Sequence, residues 1–438
     1  MRLPDYDTIL DALTPPTLKL KYSKRLEGRL SEIGPTLLRA HLPGVGLGEL
    51  CTLPNGGLSE VVGLNGATAL LSPYQEPLGL TCGMLVRPCG RRADVTVGTA
   101  LLGRVLDALG CPIDGLRALE LQTRRDIDAD PPSPMERETI HHALSVGVRA
   151  IDTALTVGVG QRIGIFAPAG CGKSTLLGML STGCEVDVVV LALIGERGRE
   201  VREFLDNTLN AATRARSVVV VATSDRPALE RIKAAATATA IAEYFRDQGL
   251  RVLLLVDSLT RYARAVREIA LAAGEPIIGS SYPPSLYARL PRLLERAGPA
   301  ACGSITAFYT VLIEDKADPL AEEVRSLLDG HIVLSRKLSE ANHFPAIDVL
   351  ASISRVMHQV STSPHRVAAA RLRKLLATWK EVELLVRVGE YRQGQDPDAD
   401  DAVARRTQIN SLLCQPMDEI CSFPQSLAIL SGTVGLPC

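Results

Sequence analysis

Aromatic residues are scarce in this 438-residue chain: they make up 4% of it, with a single tryptophan. A surface that holds single-stranded nucleic acid by stacking its bases needs several of them, so nucleic acid is not an expected partner. Charge of one sign is lacking too. Lys and Arg number 48 against 49 Asp and Glu, a net charge of −1, and no overall basic field draws the chain to nucleic acid or to an anionic membrane. No apolar run approaches the roughly 20 residues that span a bilayer. The opening Met1-Arg2-Leu3-Pro4-Asp5-Tyr6-Asp7 lacks the basic-then-apolar plan of a secretory signal. The expected location is the cytosol. Ten cysteines are present, but no two are separated by two residues, and Cys82/Cys89 and Cys414/Cys421 are each seven positions apart. Metal sites want tighter pairs and cytosolic thiols stay reduced, so most of these cysteines read as small buried hydrophobes. His141-His142, beside a proline-rich stretch, reads as surface.

What is present is a globular mixture, 46% hydrophobic and 22% charged, in a chain longer than one ordinary core. Ala167-Pro168-Ala169-Gly170-Cys171-Gly172-Lys173-Ser174-Thr175 has the ending of a phosphate-binding loop, although Ala167 stands where the strict pattern has Gly. An apolar run, Arg162 to Phe166, precedes it as a strand, and Leu176-Leu177-Gly178-Met179-Leu180 follows as a helix, the context such a loop needs. Glycines let backbone N–H groups from Ala169 to Thr175 curl around a polyphosphate at a helix N-terminus. In that reading Lys173 reaches the β- and γ-phosphates and the Ser174 hydroxyl ligates Mg²⁺. Cys171, beside Lys173 and the helix start, is expected to be a reactive thiol if it is exposed.

A second apolar run, Arg251 to Val256, ends in Asp257-Ser258. Strands buried on both faces read this way, and ligands sit at their carboxyl ends. Asp257 there would hold a water on Mg²⁺; alone, it or Ser258 would equally cap the following helix.

Residues 24–95 are short apolar stretches broken by glycine and proline, such as Gly56-Gly57-Leu58 and Val61-Val62-Gly63-Leu64, as in a small antiparallel barrel. Residues 124–137, with Pro131-Pro132-Ser133-Pro134, read as an extended connector. Strands are expected at 161–167, 186–194, 217–222, 251–257, 303–313 and 330–335, with helical patterns between them such as Ala228 to Gln248. Alternating strand and helix gives a mainly parallel sheet with covered faces. After about residue 365 the segments 367–389 and 398–414 are helical with no strand signal. The expected fold is α/β: a small β-barrel over 24–95, a parallel-sheet nucleotide domain over 96–364 and a helical domain over 365–438.

Three further stretches carry a family resemblance: Gly195-Glu196-Arg197-Gly198-Arg199-Glu200; Leu328-Asp329-Gly330-His331-Ile332 before Leu334-Ser335-Arg336; and Gly389-Glu390-Tyr391 before Gly394-Gln395-Asp396-Pro397. With the phosphate loop, they resemble the ATPases of type III secretion systems, relatives of the catalytic subunit of rotary ATP synthases, from about residue 20 to 435. Gly172-Lys173-Ser174-Thr175 looks more like an injectisome ATPase than a flagellar export ATPase. The central domain implied is a RecA-like P-loop domain. The resemblance makes Glu196 the carboxylate that polarises the attacking water and gives Glu200 a part in holding hydrated Mg²⁺. Arg197 and Arg261 would lie around the γ-phosphate. Phe344 would stack on adenine, Met417 and Phe423 would close the base pocket, and Arg355 would be an arginine finger given to a neighbouring subunit. Phosphoryl transfer needs in-line positioning and positive charge on the equatorial oxygens, which suits these residue types. Without the resemblance, Glu196 and Glu200 read as an i,i+4 surface pair among Arg197, Arg199 and Arg202, Phe344 as core and Arg355 as a surface ion pair.

The implied function is Mg-ATP hydrolysis by a homohexamer at the cytosolic face of the inner membrane. It would release chaperones from export substrates and unfold them, its partners being a central stalk, peripheral stator proteins, chaperone–effector complexes and the membrane export gate. Residues 1–23 would be an oligomerisation or membrane-proximal segment. Two stretches depart from the family's pattern: 276–282 lacks its usual basic residues, and 314–319 is shorter than its usual acidic loop. A ring-shaped RNA translocase like the terminator Rho shares this core but wants basic and aromatic residues near the N-terminus, where residues 1–95 have Tyr6, Tyr22 and Tyr74. A non-catalytic ring subunit would not need Lys173, Glu196, Asp257 and Arg355 together.

Overall fold

The computed structural model describes residues 27–277, 282–313 and 318–436. The expectation for residues 1–23 and the departures at 278–281 and 314–317 lie outside the described residues. The chain forms two compact units, 1–92 and 93–438. The sheet and the C-terminal helices fall in the same unit.

In the first unit six strands close a barrel: β1 (Gly28–Ile33), β2 (Leu38–His41), β3 (Glu49–Thr52), β4 (Leu58–Asn65), β5 (Thr68–Pro73) and β6 (Leu85–Arg92). Their order around the barrel is β1-β2-β5-β4-β3-β6, every neighbouring pair is antiparallel, and β6 pairs back onto β1. Alternate residues point inward, as the pleat requires: Leu30, Leu38, Ala40, Val61, Leu71 and Val86 form the interior. Of the three aromatics in residues 1–95, Tyr74 lies among the described residues; it is buried and donates its hydroxyl to Glu60 at 3.0 Å.

The strands of the second unit are β7 (Asp94–Val97), β8 (Val105–Leu106), β9 (Thr123–Asp126), β10 (Ala143–Leu144), β11 (Val157–Gly158), β12 (Arg162–Ala167), β13 (Val188–Ile194), β14 (Ser217–Ala222), β15 (Arg251–Asp257), β16 (Gly298–Ala300), β17 (Gly303–Leu312), β18 (Gly330–Val333) and β19 (Ile353–Ser354). The main sheet runs β19-β18-β12-β17-β15-β13-β14-β8. Its pairs from β18 to β8 are parallel, while β19 and β16 add antiparallel edges to β18 and β17. Every residue of β13 and β14 is buried, which explains their unbroken apolar runs: helices cover both faces. The helix Ala228–Asp247 packs on β13, β14 and β15. Seven of the alanines in its sequence are buried, and these small side chains let the backbones approach closely.

The connector expected at 124–137 is a correction. Its first residues are β9, paired antiparallel with β7, and Pro134–Glu136 is a single 3₁₀ turn closed by a Ser133/Glu136 capping box. Arg125 and Asp128 are not solvated linker charges. Arg125 meets Glu243 at 3.2 Å, Asp128 meets Lys233 at 2.6 Å, and Arg296 forks onto Glu243 at 2.8 Å while donating to the Ile127 carbonyl at 2.6 Å. Buried charges this close must be paired to persist, so the segment is fastened to the long helix.

Three C-terminal helices follow: Ser363–Val388, Pro397–Leu413 and Phe423–Val434. Thr362, Asp396 and Ser422 cap their N-termini, and Gly389 and Gly435 end the first and third in the left-handed region. The third was not expected, although its Ser422-x-x-Gln425 capping box was a legible start signal. Among the described residues no helix is long and apolar enough to cross a membrane.

Candidate nucleotide site

The site forms at the carboxyl ends of β12, β13, β15 and β17, where loops leave a parallel sheet and converge. Gly170 and Gly172 have φ of 79° and 78°, which glycine adopts without the Cβ penalty. Gly172 has a second reason to be glycine: a Cβ there would lie 3.3 Å from the Phe344 ring. The helix Lys173–Gly183 starts directly after it, so its N-terminal N–H groups face the loop. Ala169, Gly170 and Ser174 are exposed and Thr175 is half-buried.

Three charged groups meet at the centre. Lys173 Nζ contacts Asp257 Oδ1 and lies 3.4 Å from Glu196 Oε1. Burial works against the Lys173 charge, but the two carboxylates beside it hold its pKa above the ordinary value. Burial raises the pKa of Glu196, Lys173 and Arg261 oppose that, and the charge on Asp257 adds to it. Glu196 is thus a carboxylate with raised proton affinity, the property wanted in a group that accepts or orients a proton near neutral pH. Thr310, near the end of β17, donates to Asp257 Oδ1 at 2.6 Å. Thr310 was not singled out from the sequence; a polar residue inside the apolar run Phe308 to Val311 was the available signal.

Arg261 enters beside Glu196 through a close approach. Gly195 has φ of 67°, and a Cβ on it would sit 2.9 Å from Arg261 Cβ. Ser258 caps the helix Leu259–Ala272 by accepting from the Arg261 N–H at 3.3 Å. Among the described residues the buried Arg261 Nε has no hydrogen-bond partner. An orphaned guanidinium donor costs free energy unless something accepts from it, and an anion bound at this loop would supply that acceptor.

The other expected residues lie outside this cluster of charges. Arg197 is 78% exposed and faces Glu200 at 3.5 Å, in a surface ladder with Arg199–Glu203 and Arg202–Asp206. The turn into the helix Gly198–Glu203 therefore sends Glu196 inward and Glu200 toward solvent. Arg355 is exposed just beyond β19; its N–H donates to the Asp329 carbonyl at 2.9 Å and its guanidinium to the Arg325 carbonyl at 3.3 Å. Phe423 packs edge-on against His365, ring centroids 5.9 Å apart, and Met417 is 52% exposed. Cys171 is a correction to the expected reactive thiol: it is 2% exposed, in the core cluster with Leu176 and Leu180, and such a side chain is shielded from reagents.

A nucleotide-binding domain of the ATP synthase alpha/beta family matches residues 147–354, and the C-terminal domain of the type III secretion ATPase EscN matches residues 361–432. The chain is 58% identical over 397 residues to the SPI-2 type 3 secretion system ATPase of Salmonella typhimurium, covering 90% of this chain and 92% of that one. It belongs to the type III secretion system ATPases. The solved structure of assembled EscN from enteropathogenic E. coli superposes with a TM-score of 0.90 at 52% identity, over 93% of this chain and all of that one. EscN in complex with its central stalk EscO gives 0.88 at 51% identity, over the same share of each chain. This family member binds nucleotide and hydrolyses ATP to ADP and phosphate in the service of type III protein secretion.

Proposed function

We propose that the chain acts as a ring of six copies at the cytosolic face of the inner membrane, each interface completing one Mg-ATP site. In this reading Lys173 holds the β- and γ-phosphates, Glu196 orients the attacking water, and Arg261 stabilises the γ-phosphate through its unpartnered Nε. Ser174 and Asp257 hold Mg²⁺ with bound waters, a sparse donor set that suits an ion which dehydrates reluctantly. Arg197 and Glu200 join only if nucleotide turns their exposed side chains inward. Phe344 stacks on the base, Met417 borders it, and Phe423 supports that wall from the His365 side. The ring turns on a central stalk like the one EscN binds, is tethered by peripheral stators near the export gate, and strips chaperones from export substrates before unfolding them.

The observation that carries the ring is Arg355. It sits exposed at the sheet edge, bonded to the Arg325 carbonyl, while Lys173, Glu196 and Asp257 meet at their own centre. A cation in that position serves a site on another copy better than its own. Arginine fingers contribute roughly 10³–10⁵ in rate, so specific activity climbs as concentration drives assembly. Mixing two inactive proteins, Lys173→Ala and Arg355→Ala, is the test. Where the Arg355→Ala copy supplies the loop and the Lys173→Ala copy supplies the finger, one site is complete and part of the activity returns. A co-assembled mixture as inactive as its parents sinks the shared site.

A further inference from the structure

Gln415 is 3% exposed and every polar atom of its side chain is used. Its Oε1 accepts from the Arg149 N–H at 2.8 Å, and its Nε2 donates to the carbonyls of Gly147 at 2.8 Å and Glu419 at 2.7 Å. The amide orientation is fixed: flipped, it would set NH₂ against an N–H and oxygen against two carbonyls. Its own backbone N–H donates to the Phe344 carbonyl at 2.9 Å. One residue therefore ties the segment that carries Met417 to both Phe344 and the stretch 147–149.

That stretch is a firm anchor. Arg149 is buried and collects carbonyls at the end of the helix Pro397–Leu413: Leu412 at 3.2 Å, Ser411 at 3.4 Å and Cys414 at 2.5 Å, with Glu419 as its ion-pair partner. These are the carbonyls a helix C-terminus leaves unsatisfied. Gly147, with φ of 73°, approaches the end of the phosphate-loop helix so closely that a Cβ would lie 2.8 Å from the Gly183 Cα.

We infer that Gln415 is a positioning residue for the nucleotide base. It holds Phe344 and the Met417 segment in register with the frame that carries the phosphate-loop helix, and it does so without touching the base. Both donors of its amide are committed inward and the side chain is 3% exposed, so it has no donor free to read a base edge. The inference rests on the proposal that Phe344 stacks on the base.

The test compares a ligand with a base and one without: ADP and inorganic tripolyphosphate, binding in Mg²⁺ to the full-length protein. Gln415→Met keeps length and apolar volume and removes the hydrogen bonds. ADP affinity and KM for ATP then weaken about tenfold, kcat stays within a factor of about three, and tripolyphosphate affinity holds. Gln415→Asn keeps the amide one methylene short and is read the same way if the Met variant fails to fold. Phe344→Ala is the control for the underlying reading. If it weakens ADP selectively and Gln415→Met does not, the positioning role is lost. If Phe344→Ala leaves ADP affinity unchanged, the stacking proposal fails first. Equal loss of ADP and tripolyphosphate in Gln415→Met shows a general collapse of the loop and overturns the inference.

Discussion

The phosphate side of the site and the proposed base side are held by different means. Asp257 ends one strand of the sheet, Thr310 lies near the end of its neighbour, Glu196 follows a third by two residues, and Lys173 opens the helix after the phosphate loop; Asp257 is 4% exposed. Paired strands and a helix start set these positions, which leaves little freedom. Phe344 and Met417 sit on irregular backbone far apart in sequence, and Met417 is 52% exposed. What joins them is a handful of hydrogen bonds through Gln415 and Arg149. Charges that must be placed to fractions of an ångström are on rigid elements, while a stacking wall, which tolerates small displacements, is on adaptable ones.

The sharpest way to break that contrast is on the phosphate side, where the largest loss is expected. Lys173→Ala removes the charge proposed to meet the phosphates before and during reaction, so binding and turnover are both expected to fall. Glu196→Gln keeps the shape and removes the charge proposed to orient water, so nucleotide is expected still to bind while kcat drops by about 10²-fold or more. A Glu196→Gln protein with wild-type kcat removes Glu196 from the chemistry. On the base side Phe344→Ala is expected to raise KM for ATP roughly ten- to a hundredfold, the worth of one stacking contact, with kcat little changed. If kcat falls as far as in Glu196→Gln, the two sides are not separable.

How much of this was legible follows the same division. Gly170 to Thr175 and the run ending in Asp257 are contiguous, and strands buried on both faces announce themselves by unbroken apolar residues, so the central strands and the long helix Ala228–Asp247 lie where the pattern puts them. Partners made by tertiary contact were not legible. Thr310, Arg149 and Gln415 look ordinary in sequence, since what matters is which atoms they meet. Glu196 and Glu200 are alike in a charged cluster, and the turn before Gly198 is what separates them. The charges at 125–128 read as linker because their buried partners, Glu243 and Lys233, are more than a hundred residues away.

A smaller effect sharpens the role of burial on the phosphate side. Burial of Glu196, with Asp257 adding its charge, raises its pKa despite Lys173 and Arg261. A base must be deprotonated to act, so the acid limb of kcat/KM is expected above the ordinary carboxylate range near 4.3. The residual activity of Glu196→Gln should lack that limb. An acid limb of unchanged position in the variant assigns it to another group.

The smallest expected effect concerns the frame under the base side. Asp152 is fully buried; its Oδ1 accepts from the Val146 N–H at 3.0 Å, so it steadies the stretch from which Gln415 hangs. Burial pushes its pKa up to about 7, the N–H groups of Val146 and Gly147 oppose that, and Glu185 adds to it. Unfolded, the group has the ordinary value of 3.8. Between those values the folded state holds a proton that the unfolded state has released, so stability falls as pH rises through the window and levels off above it. Asp152→Asn keeps the acceptor for Val146 and cannot ionise. Its melting temperature should therefore drop less than the wild type's between pH 5 and pH 8, by ~2–4 °C, measured at one scan rate and concentration. The gain appears only at the higher pH, where the wild-type carboxylate is charged inside the core. ADP affinity should be unchanged at pH 5, because the bond to Val146 is intact in both proteins. If the two proteins lose stability in parallel with pH, Asp152 does not titrate in this window and the frame beneath Gln415 owes none of its pH dependence to it.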